Sequence, residues 1–121
     1  NIIEDPKWSL RTVTPDEAFY FNKQEGGHVM YTGMRALNLV EFSNILEQVE
    51  LSSIRFHLRS DTNDFQQWME KVICDPQLSE SFRELKNDFL FDSKLLRHRM
   101  IEATNDRINK LLEAVKPKGY V

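Results

Sequence analysis

The feature that most constrains this fold is a series of helix starts, each followed by apolar residues at helical spacing. Asn38 with Glu41 three residues on forms a capping box, and Leu37 with Phe42 is spaced as a hydrophobic staple. Phe42, Ile45, Leu46 and Val49 then share one face, which predicts a helix over 39–49. Asn63 with Gln66 repeats the device and predicts a helix over 64–74, faced by Phe65, Trp68, Met69, Val72 and Ile73. Asp64 falls in its first turn, where a carboxylate meets the positive helix end. Asp75 as cap and Pro76 at the first helical position start a third helix, with Leu78, Phe82 and Leu85 inward. After the interruption "DFLFDS" a last helix runs from about 93 to 115. Its stripe is Leu96, Met100, Ala103, Ile108, Leu111, Leu112 and Val115. At ~1.5 Å per residue it is on the order of 33 Å long. It exceeds its neighbours, so its end is expected to pack on another subunit or an absent domain.

The N-terminal third reads differently. Residues 1–13 show no period; Asp5-Pro6 marks a turn, and Trp8 and Leu10 are expected to pin this arm to the body. "TPDE" at 14–17 carries a helix start, with Thr14 as cap and Pro15 in first position, but "AFYFN" after it prefers strand. One helical turn leading into a strand reconciles them. "KQEGGH" supplies a turn and "HVMYTG" a second strand. "SSIRFHLRS" is ambiguous. Ile54, Phe56 and Leu58 alternate as in a strand, whereas Ser53 as cap with Ile54, His57 and Leu58 on one face suits a short helix. We favour helix. The expected fold is mainly α: a small helical bundle with a short N-terminal β-hairpin. Residues 1–121 are expected to form a single domain, with 1–13 an arm and "KPKGYV" (116–121) a frayed tail.

Composition narrows the function classes. No apolar run approaches the ~18–20 residues that span a bilayer, so no membrane association is expected. The single cysteine, Cys74, permits no internal disulfide, and no Asn-x-Ser/Thr sequon occurs. Both suit a reducing cytoplasm. The chain begins at Asn1, which leaves processing or excision from a longer protein open. A net charge of −3 argues against broad nucleic-acid binding. Residues 91–121 nevertheless carry four acids and seven bases, densest in "KLLRHRM" (94–100). These bases are expected to pair within the fold, with a dock for phosphate or an acidic partner as the alternative.

No phosphate-loop, dinucleotide, C-x-x-C or H-E-x-x-H motif is present. His28, His57 and His98 lie on three different elements, so neither metal nor cofactor is expected. Cys74, near the end of an apolar face, reads as a buried structural thiol. His57 and Asp64 stand seven residues apart across a helix boundary and are placed to meet. As an acid–base pair they would need a nucleophile or a bound substrate, which no motif supplies. The structural alternative is that His57 ties two helices together beside Trp68, whose indole N–H also needs a partner. A carboxylate holding an imidazolium would raise the histidine pKa, and burial alone would lower it.

"AFYF" (18–21), "YTGMRALNLVEF" (31–42), "SSIRFHL" (52–58), "NDFQQWMEKV" (63–72) and "DPQL" (75–78) follow one another in an order that resembles a family of uncharacterised bacterial and archaeal domains. The resemblance covers residues 18 to 86. It implies a compact helical domain with signature positions Phe56, His57, Asp64, Phe65, Trp68 and Asp75, and it carries no activity. The expected function is a non-enzymatic interaction or regulatory module with a protein partner or self-association, dimeric through the last helix. The alternative is a small-molecule or phosphate site using His57, Arg59, Asp64, Trp68, Arg97 and Arg99. An enzyme with His57 as base is the least supported class.

Overall fold

In the computed structural model, which describes residues 5–116, helices dominate and one hairpin precedes four of the longer ones. The order is α1 (Pro6–Leu10), a 3-10 turn (Pro15–Glu17), β1 (Phe19–Glu25), β2 (His28–Ala36), α2 (Leu39–Gln48), α3 (Leu51–Phe56), α4 (Asp64–Lys71), α5 (Pro76–Phe89) and α6 (Ser93–Val115). Residues 117–121, most of the expected tail, lie outside the described residues, as do 1–4 of the arm.

The helix starts form as their sequences predict. Asn38 Oδ1 accepts from the Glu41 N–H at 2.9 Å, and Glu41 reaches back to the Leu37 N–H at 2.8 Å. Asn63 accepts from the Gln66 N–H, and Asp75 from Gln77 and Leu78. Each cap satisfies donors that the first helical turn leaves without partners.

The hairpin is longer than "HVMYTG" suggests, because β2 runs on to Ala36. Gly26 and Gly27 have φ of 58° and 83°, the pair of positive angles that a two-residue type I′ turn requires. A bulge follows Phe21: Phe21 pairs with Met34 but Asn22 pairs with Tyr31, leaving Thr32 and Gly33 extra. Gly33 takes φ 89° there, and the Thr32 hydroxyl donates to the Phe21 carbonyl at 2.6 Å.

The core is aromatic at its centre. Phe19 and Phe21 of β1 meet Phe42 of α2 and Phe65 of α4, Phe19 also meets Trp68 of α4, and Phe82 of α5 packs on Phe42 and Phe65. Leu39, Leu46, Ile54, Met69, Leu78, Leu96 and Met100 close around them. Burying one such side chain is worth about 1.5–3 kcal/mol.

Three expectations need correction. The arm contains a helix: Asp5-Pro6 is a cap followed by proline, as Asp75-Pro76 is, and the Asp5 carboxylate accepts from the Trp8 N–H. Five residues are too few for periodicity to reveal. Leu10 does join the core edge, but Trp8 is half exposed with the Arg11 guanidinium 3.8 Å from its ring centre. Ser9 and Arg11 instead pin the arm, donating to the Ile73 and Val72 carbonyls at the end of α4. Second, the inward stripe of α6, which packs on α1, α2, α3 and α5, differs from the expected one. Its buried stripe includes Thr104 and Arg107, whereas Leu112 is exposed.

Third, Cys74 is exposed and stands at φ 62°, just past the end of α4. The helix stops at Lys71, earlier than the apolar face suggests, and Cys74 takes the left-handed position that usually falls to glycine. Cys74→Gly is therefore expected to stabilise the fold by about 0.5–1 kcal/mol, read as a higher urea midpoint. An unchanged or lower midpoint would show that the left-handed residue carries no strain. Thiol reagents should also label Cys74 without unfolding.

Candidate functional site

Over "SSIRFHLRS" (52–60) local sequence does not separate helix from strand, and tertiary contacts decide it. As helix α3, Ser53 and His57 lie one turn apart on the same face. Ser53 is inside the helix rather than its cap, and its hydroxyl donates to the Asn22 carbonyl at 2.7 Å. His57 Nε2 accepts from the Asn22 N–H at 3.0 Å. Both backbone groups of one strand residue are thus held by α3, which closes that edge of β1.

The other ring nitrogen completes the joint. His57 Nδ1 lies 2.8 Å from Asp64 Oδ2, and the Asp64 N–H donates to the His57 carbonyl at 2.9 Å. Because Nε2 must accept from Asn22, the proton belongs on Nδ1, where the carboxylate receives it. The imidazole is neutral and its one lone pair is occupied. The side chain is 4 % exposed, between Phe19 and Phe65 at 4.8 and 5.4 Å. Burial lowers its pKa below the ordinary value, and the Asp64 contact opposes this without overcoming it. The raised pKa that a salt-bridged imidazolium would give is not what the geometry produces.

The other sequence candidates are also engaged. Arg59 stacks on Phe56, donates to the Phe56 carbonyl and stands 3.6 Å from Asp64. Trp68 is buried against Phe42 and donates its indole N–H to the Glu17 carbonyl at 2.8 Å. Arg97 donates to the Glu47 and Val49 carbonyls, capping the end of α2. Arg99 pairs with Glu102 at 2.9 Å, and His98 lies 3.6 Å from the same carboxylate. The structure brings His57, Asp64 and Arg59 together; Arg97 and Arg99 belong to a different surface on α6.

A group that sequence reasoning missed is Arg107. It forms a buried bidentate pair with Asp75, at 2.7 and 3.1 Å, and its third nitrogen donates to Gln77 Oε1 at 3.2 Å. The signal was present: Met100, Thr104, Arg107 and Leu111 recur at helical intervals, and a charge on an inward stripe needs a partner. This pair floors an open cleft of about 510 Å³ rimmed by Glu80 and Glu84. A second cleft of about 360 Å³, beside residues 60–63, includes neither His57 nor Asp64. Among the described residues no group of three or more His, Cys, Asp or Glu is arranged to hold a metal ion. No helix among them is long and apolar enough to cross a membrane.

A family model covers residues 1–105, well beyond the 18–86 span that carried the resemblance. The chain belongs to the family of unknown function DUF5752. No curated protein and no solved structure matches it. The match takes in the hairpin, the His57–Asp64 joint and Asp75, and it ends two residues before Arg107. For this DUF5752 chain the functional reading therefore rests on its own geometry.

Proposed function

We propose that this DUF5752 chain is a non-enzymatic protein-interaction or regulatory module, one domain working in the cytoplasm. The observation that carries the reading is the closure of His57. A general base needs a lone pair that a substrate can reach, and here the lone pair holds a backbone N–H inside the core. The small-molecule or phosphate reading is weakened in the same way, since Arg59, Arg97 and Arg99 already serve carbonyls, rings and carboxylates.

Exposed apolar side chains offer the opposite kind of surface. Val29, Met30 and Tyr31 stand out on β2, and Leu90 and Phe91 at the α5–α6 corner, with Phe91 83 % exposed. Clusters of this kind on a folded surface mark contacts with other proteins. A photo-crosslinking residue at Tyr31 or Phe91, in the producing cell, is expected to yield adducts of discrete mass containing a second polypeptide. No adduct at either site, together with saturable NMR shifts at Arg59, Arg97 and Arg99 on adding inorganic phosphate, would overturn the reading in favour of a ligand site.

A further inference from the structure

The hairpin has two edges, and among the described residues only one is closed. On β1, Ser53 and His57 take both backbone groups of Asn22. Because Asn22 turns those groups away from β2, its pairing with Tyr31 is of the kind without mutual hydrogen bonds. The N–H and C=O of Tyr31 therefore also point away from β1, where no described residue receives them. Strand alternation places those of Val29 the same way. The turn gives the same parity independently: Glu25 and His28 flank a two-residue turn and so bond to each other, which leaves the next residue, Val29, outward.

An open edge templates another strand unless something blunts it. From His28 to Met34 β2 has no Lys, Asp, Glu or Pro. Val29 and Tyr31 are 61 % and 49 % exposed. The bulge at Thr32 and Gly33 confines regular pairing to the residues before it.

We propose that β2 pairs antiparallel with β2 of a second copy about a two-fold axis at Met30. This names the partner of the hairpin surface and rests on the interaction-module reading. An edge of unpaired backbone takes an extended strand, and the two-fold at Met30 makes this strand its own complement. It sets Val29 of each copy opposite Tyr31 of the other, and both are residues whose backbone groups face outward. Two mutually hydrogen-bonded pairs form, and each matches a β-branched with an aromatic side chain, a favourable cross-strand combination. The two hairpins join into a four-stranded sheet through a short, weak interface.

Sedimentation of the full chain up to about 100 µM, the range of weak interfaces, tests this. The expected mass is twice 14.3 kDa. Val29→Lys with Tyr31→Lys places like charges opposite each other and should weaken the dimer at least about tenfold. Val29→Lys with Tyr31→Glu places opposite charges across the same axis and should restore it. Asn22 and Gln24, their neighbours on β1, are uncharged, so the hairpin should tolerate both changes; circular dichroism and the urea midpoint check that the variants fold. Amide exchange at Val29 and Tyr31 should be slow in the dimer and fast in the double-lysine variant. A chain monomeric throughout, a dimer indifferent to both double variants, or one broken only by Phe91→Ser would each overturn the proposal. So would a monomer that captures an unrelated extended peptide at β2. None of these results removes the crosslinked partner on which the module reading depends.

Discussion

Arg107→Ala is expected to cost this protein about 3–5 kcal/mol, a large share of what holds a domain of this size folded. The reason is the carboxylate left behind. The Asp75 side chain is 1 % exposed and receives two backbone N–H groups at the start of α5 as well as the guanidinium from α6. Removing the arginine leaves the Asp75 carboxylate without its counter-charge at the floor of the cleft. Asp75→Asn with Arg107→Met should recover most of the loss, because the cap acceptor remains and neither position is then charged. Urea midpoints of the single and double variants read the difference. Equal losses in both would show that Arg107 acts through packing rather than charge.

Trp68→Ala is expected to cost a similar ~3–5 kcal/mol. The indole stacks on Phe42 at a ring-centre distance of 5.4 Å and meets Phe19 edge-on at 5.7 Å, so truncation opens a void at the junction of α2, α4 and β1. Its N–H also fastens the turn before β1 through the Glu17 carbonyl. Trp68→Phe keeps much of the packing and loses that bond. It should cost about 1 kcal/mol more than repacking alone. A Trp68→Ala protein with the parent's urea midpoint would mean that the ring lies on the surface.

The helix framework was legible because caps and apolar spacing are local. Asn38, Asn63 and Asp75 each specify a start from within four residues, and each start forms where it was read. The misses are non-local or too short. Nothing near Ser53 announces that it grips a strand residue 31 positions earlier, and that grip decides α3. Cys74 misled because an apolar face was extended past a helix end that its own left-handed backbone sets. Arg107 was legible in spacing, but a stripe drawn from apolar residues alone passes over it.

The candidate site was legible as a meeting of residues and not as a chemical state. His57 and Asp64 come together as their spacing suggests, but the second ring nitrogen decides the outcome, and its partner, the Asn22 N–H, lies 35 residues away. With that donor in place the ring is held neutral. Sequence could frame the two directions of the pKa shift but not choose between them.

The central claim is that His57 is a neutral joint between the hairpin and the helices. Its most direct test is the urea stability of the parent and of His57→Gln from pH 8 to pH 5. A lowered folded pKa means that the unfolded chain takes up a proton near its ordinary ~6.5 while the folded ring does not. The His57 contribution is then fully present above about pH 6.5. It is lost as pH falls from there toward the lowered folded value, at up to ~1.4 kcal/mol per pH unit. His57→Gln should be less stable than the parent at pH 8 and should lack this slope, so the gap between the two narrows on acidification. A gap that widens as pH falls would mean an imidazolium held by Asp64, with Nε2 free to donate, and would contradict the account.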